Sequence, residues 1–127
     1  IEKSPTVTCY DAQAPEIQSH IEEPFKRVML RVADALDSRI RLTMETEKRT
    51  FARFNKNDFG KGGLWPFYWG AFYPKGGKRS ADAQLSLWIN HEFLEYGFYI
   101  GDYGSEQRKR FVHNVQTHAE AIRVLME

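Results

Sequence analysis

Residues 83–100 restrict the fold more than any other stretch. In "QLSLWIN", Leu85, Leu87 and Ile89 fall on one side of an extended chain, and Gln84, Ser86 and Trp88 fall on the other. In "FLEYGFYIG", Leu94, Tyr96, Phe98 and Ile100 share a side, and Glu95, Gly97 and Tyr99 take the opposite one. Two period-two runs bracketing "HE" read as consecutive antiparallel strands of a hairpin.

Upstream, "GKGGLWPFYWGAFYPKGGKRS" (60–80) carries six aromatic rings between two glycine–lysine clusters and no acidic residue. As a strand it places Trp65, Phe67, Trp69, Ala71 and Tyr73 on one face, with Tyr68, Gly70 and Phe72 on the other. Pro66 belongs at its start, where no ladder bond is needed. "TFARF" before it has strand composition, and "NKNDFGKGG" is turn chemistry.

Helical patterns flank the strands. Ile17, Ile21, Phe25, Val28, Met29, Val32, Ala35 and Leu36 recur at spacings of three and four. Pro24 either sits in the first turn of a helix starting near residue 22 or kinks an earlier one. Ser19 with Glu22 reads as a capping box, and Asp37–Ser38 as the helix end. Near the C-terminus, Ser105 is the expected N-cap of a helix striped by Phe111, Val115, Ala119, Ile122 and Met126. The expected class is α+β: an antiparallel sheet of three to four strands, with N-terminal and C-terminal helices packed on one face.

The 127 residues fit a single domain, 1–127, with 1–14 expected as a flexible or edge segment. The chain opens with Ile1 and ends within a helical pattern, which reads as a domain excised from a longer chain. No apolar run approaches the roughly 18 residues of a membrane span, and no signal-peptide pattern is present. Cys9 is the only cysteine, which excludes an internal disulfide and fits a reducing, cytoplasmic setting.

The sequence carries no recognisable catalytic constellation. A phosphate-binding loop needs Ser or Thr after Gly77-Lys78, but Arg79 follows and position 72 is Phe. Gly101 and Gly104 lack the third glycine of a dinucleotide fingerprint. His113 and His118 are five apart and diverge on a helix; His91 and Glu95 flank the hairpin. No nucleophile elbow appears. The expectation is a non-enzymatic protein that needs no cofactor and no metal.

The positive signal is charge. Residues 48–79 hold eight basic side chains against Asp58 alone, a net +7, while the remainder holds ten basic and sixteen acidic, a net −6. Such a segment suits an anionic partner. Rings interleaved with bases and glycine suit nucleic acid: cations meet phosphates, and rings stack on bases. The candidates are Arg53, Lys56, Lys61, Lys75, Lys78 and Arg79 for phosphate contacts, and Trp65, Trp69, Trp88 and Tyr99 for stacking.

"ETEKRTFARFNKNDFGKGGLWPFYWGAFYPKGGKRSADAQLSLWIN" and "EYGFYIGDYGSEQRKRF", within residues 45–116, resemble a bacterial domain of unknown function that occurs alone or ahead of AAA+ motors similar to McrB. The resemblance implies an N-terminal specificity domain of a modification-dependent restriction system, with the motor in the same chain. It also implies DNA as partner, methylated or otherwise modified, with the modified base flipped into an aromatic pocket. Two other readings stay open on the residues alone. One is a protein-interaction or regulatory domain whose basic loops dock an acidic partner. The other is a small-molecule pocket or enzyme.

Overall fold

The computed structural model describes residues 7–54 and 64–127. Its elements are α1 (Val7–Ile17), a π-helical turn (Gln18–Glu22), α2 (Glu23–Ala35), α3 (Ser38–Thr43), β1 (Met44–Glu45), β2 (Tyr68–Pro74), β3 (Ala83–Ile89), β4 (Leu94–Ile100), α4 (Ser105–Thr117) and α5 (Ala119–Met126). The four strands form one antiparallel sheet in the order β1-β2-β3-β4. The class is α+β, as the patterns indicate.

Residues expected as a tail are helical from Val7 onward. Pro24 explains how α1 runs into α2. A proline lacks the N–H that would bond one turn back, and its ring crowds the carbonyl four residues earlier. The π-turn absorbs this: Glu23 N–H donates to Gln18 O, five residues back, just before the proline. Ser19 and Glu22 therefore lie inside a helical run, and the capping box does not form. Asp37 begins a helix as well as ending one, because its carboxylate accepts from Arg39 N–H at 2.9 Å at the start of α3.

The register places Tyr68, Gly70 and Phe72 beside Ile89, Leu87 and Leu85. This face meets α2. Phe25, Met29 and Ala33 from α2, Ile17 from α1, Tyr68, Phe72, Leu87, Phe54 and Leu64 form the core. Gly70 is glycine because a Cβ there would lie 3.2–3.3 Å from Met29, Phe25 and Phe51. "TFARF" contributes a bridge, Phe51 to Gly70, rather than a full strand. Its backbone still extends the sheet: Ala52 N–H donates to Trp69 O, and Ala71 N–H to Thr50 O, each at 2.9 Å.

Tyr68 is buried against Phe25 and Phe54, with ring centroids 5.0 and 4.7 Å away. Burial, reinforced by the negative charge of Glu22, holds its hydroxyl proton well above the ordinary tyrosine range. A raised native pKa means stability is intact below the unfolded tyrosine pKa of about 10 and is lost as pH climbs above it. The denaturation midpoint is expected to fall between about pH 9 and 11 more steeply in the wild type than in Tyr68→Phe.

The helical cover is partial. Val28 and Val32, in the N-terminal stripe, remain 48% and 44% exposed, and Tyr96 on the same side of the sheet is 80% exposed. Helices α4 and α5 bury none of their residues. The expected C-terminal stripe touches the sheet through Phe111, which stacks on Phe98 at 5.0 Å. Gly104, not Ser105, occupies the N-cap of α4. The reason is contact: a Cβ at Gly104 would lie 2.0 Å from Ala81 O.

Candidate nucleic-acid interface

Among the described residues, no helix lines the opposite face of the sheet at Trp69, Trp88, Gln84 and Tyr99, which alternate with the core residues of their strands. It forms a concavity of about 790 Å³ lined by Trp65, Trp69, Trp88 and Tyr99 together with Arg49, Arg53, Lys78 and Arg79. All four rings proposed from sequence are here, with three of the six proposed cations. Lys75 does not line it. That residue sits in a tight turn closed by Gly77 N–H to Pro74 O, with Gly76 at φ 79°, the arrangement of a type II turn that points its second residue outward. Lys56 and Lys61 lie outside the described residues.

The rings form a connected series. Trp65 meets Phe67 at 5.2 Å, Phe67 meets Trp88 at 5.0 Å, and Trp88 stacks on Trp69 at 4.8 Å with planes 7° apart. Trp69 and Trp88 are direct partners across β2 and β3, so the strand spacing itself brings the rings into stacking distance. The guanidinium of Arg79 lies over Trp69, 5.0 Å from its centroid. The two indoles thus spend one face each on the other, and Arg79 covers Trp69.

A second group of contacts fixes the loop that carries Lys78 and Arg79. Asp82 Oδ2 accepts Lys78 N–H at 2.6 Å, and Asp82 Oδ1 accepts from Gln107 Nε2 of α4 at 3.0 Å. Tyr103 N–H donates to Ser80 O at 2.9 Å, and Gly101 N–H to Asp82 O at 3.2 Å. Such close backbone approach requires glycine: a Cβ at Gly101 would lie 2.2 Å from the Ser80 carbonyl carbon. Arg108 closes the turn by donating to Gly101 O and Asp102 O, both at 3.0 Å. The glycines that fail as a nucleotide fingerprint serve here to seat the basic loop.

Among the described residues, charge in the concavity is lopsided: four cations against Asp102. The Tyr99 hydroxyl donates to Asp102 Oδ1. That hydrogen bond, more than burial or the carboxylate's charge, raises the tyrosine pKa. Burial lowers the pKa of Arg79, yet a guanidinium stays charged at any physiological pH. No carboxylate among the described residues pairs with Arg79. Arg49 was not singled out from the sequence beyond its place in the basic run. It reaches the site from a left-handed backbone, φ 56°, after a turn in which Glu45 accepts from Glu47 and Lys48 N–H. Gln84, Asp102 and Tyr103 were also missed as site residues, although the alternation of β3 already put Gln84 on the side of Trp88.

A non-glycine residue at positive φ costs on the order of 1 kcal/mol or more. Arg49→Gly is therefore expected to raise stability by about 1 kcal/mol while removing one cation from the concavity. A denaturant titration checks the first effect, and an anion-binding assay the second.

Among the described residues no group of three or more His, Cys, Asp or Glu side chains converges on a metal position. None of their helices is long and apolar enough to cross a membrane. Comparison with known proteins adds nothing: no family model, curated protein or solved structure matches the chain.

Proposed function

We propose that this domain is a non-catalytic nucleic-acid recognition module that binds DNA across the helix-free face of its sheet. The observation that carries the reading is the convergence of Arg49, Arg53, Lys78 and Arg79 with Trp65, Trp69, Trp88 and Tyr99 on one concavity. Cations on its rim neutralise phosphates, and ring edges and faces meet bases, at about 1–3 kcal/mol per stacked base. Its carboxylate, Asp102, is engaged by Tyr99 and is not presented as a general base. The resemblance of residues 45–116 to domains ahead of McrB-like motors supports a role as the specificity part of a bacterial restriction protein acting in the cytoplasm. Its targets would then be modified bases extruded from the duplex.

Mobility shifts on plain duplex, methylated duplex and single-stranded DNA of one sequence test this. A complex with at least one of them, dispersed by salt and strongest with the methylated duplex, is expected. A complex that ignores methylation removes the restriction role and leaves the DNA-binding reading. No complex with any of the three at low salt removes the function altogether.

A further inference from the structure

Arg79 occupies an unusual seat. Its guanidinium is half-buried, stacked over Trp69, and its side-chain hydrogen bond is a long one to Thr50 O at 3.3 Å. Thr50 O already accepts Ala71 N–H at 2.9 Å. The backbone of Arg79 is held separately, because its carbonyl accepts from Gln84 Nε2 at 3.0 Å. The side chain can therefore turn while the loop stays in place. Gln84 lies in the same concavity, is 1% exposed, and keeps Oε1 buried without a partner. A buried acceptor left unmatched is costly, and it marks a position that a donor would satisfy.

The seat thus has a flat aromatic wall and the Thr50 carbonyl as an acceptor, in a concavity that Gln84 also lines. It suits a planar group edged with N–H donors. Guanidinium is one such group; the amino-bearing edge of cytosine or adenine is another. Thymine fits less well, since its edge sets carbonyls on either side of a single N–H. A nucleotide also brings a phosphate, which holds guanidinium by charge-assisted, often paired hydrogen bonds, a better partner than a backbone carbonyl.

Resting on the reading of this face as a nucleic-acid site, the geometry points to an exchange. Arg79 is a placeholder that an amino-bearing base displaces from Trp69, donating to Thr50 O and Gln84 Oε1 while the guanidinium turns out to the phosphate. The seat then selects cytosine and adenine over thymine, and Arg79 competes with the base it admits.

Tryptophan-fluorescence titrations with cytidine, adenosine and thymidine, on the wild type, Arg79→Ala and Arg79→Met, test the exchange; methionine keeps the apolar stem where alanine disturbs packing. Free nucleosides have no phosphate, so vacating the seat is expected to tighten cytidine and adenosine binding about fivefold, the factor a cation–π contact of this kind represents. Thymidine binding is expected to change little. A variant with the wild-type melting temperature that binds cytidine no more tightly than the wild type overturns the proposal. Oligonucleotides separate it from the reading beneath it. Equal affinity for deoxycytidine and thymidine homopolymers leaves DNA binding standing and overturns the seat; binding of neither overturns both.

Discussion

Gly104→Ala is expected to lower the melting temperature by about 10 °C and to weaken DNA binding with it, although residue 104 contacts no proposed ligand. Gly104 has φ −87°, which any residue adopts, so conformational preference is not the cause. The cause is contact with backbone that cannot yield: the added methyl would sit 2.0 Å from Ala81 O and 2.8 Å from Ile100 Cγ2. Either the 101–104 turn or the 78–82 loop must move. The hydrogen bonds Tyr103 N–H to Ser80 O and Gly101 N–H to Asp82 O then lengthen or break. Overpacking of this kind costs about 3 kcal/mol, and in a domain of this size each kcal/mol corresponds to roughly 4 °C. Because the displaced loop carries Lys78 and Arg79, the damage reaches the concavity. Gly97→Ala is the control, since a Cβ there meets nothing within 4 Å. Its melting temperature is expected to match or slightly exceed the wild type. Equal melting of Gly104→Ala and Gly97→Ala would show that the turn and loop are not docked as described.

The second large effect is electrostatic. Lys78→Glu with Arg79→Glu converts the concavity from four cations and one carboxylate to two cations and three carboxylates. Each phosphate contact releases counterions, and two lost contacts at 0.1 M salt amount to roughly a hundredfold loss in affinity. The slope of log affinity against log salt should also shrink, by about 1.4 on single strands and about 1.8 on duplex. The slope separates lost phosphate contacts from general damage. Lys78→Glu alone covers the chance that glutamate over Trp69 disturbs the fold, because the Lys78 side chain is exposed and its hydrogen bonds run through its backbone N–H and carbonyl. Unchanged affinity in the double variant removes the basic loop from the interface.

Much of the site was legible in the chain because sheets translate sequence into position directly. Period two in β3 and β4 put Gln84, Ser86 and Trp88 with Gly97 and Tyr99 on one side before any coordinates were needed. The same rule set Trp69 against Tyr68 and Phe72, and the register bears out that split. Helical cover was less legible. A stripe of apolar residues shows that a face can be buried, not that a neighbour reaches it. Val28 and Val32 of α2 stay exposed beside a cleft that Leu85, Tyr96 and Phe98 line, and the stripe from Phe111 to Met126 buries none of its residues. The π-turn before Pro24 was half visible, since proline announced a disturbance without saying how the backbone would absorb it. The seating of the basic loop was hidden, because it depends on Asp82 meeting Gln107 and on Gly104 meeting Ala81 across more than twenty residues. Arg79 over Trp69 was hidden because the loop between β2 and β3 decides where that side chain returns.

The most direct test of the account is a salt titration of DNA binding by the wild-type domain. With Arg49, Arg53, Lys78 and Arg79 each neutralising one phosphate, log affinity should fall against log salt with a slope of about −3 to −4. A flat dependence, or no binding at low salt, would contradict the claim that cations and rings on the helix-free face form a nucleic-acid interface.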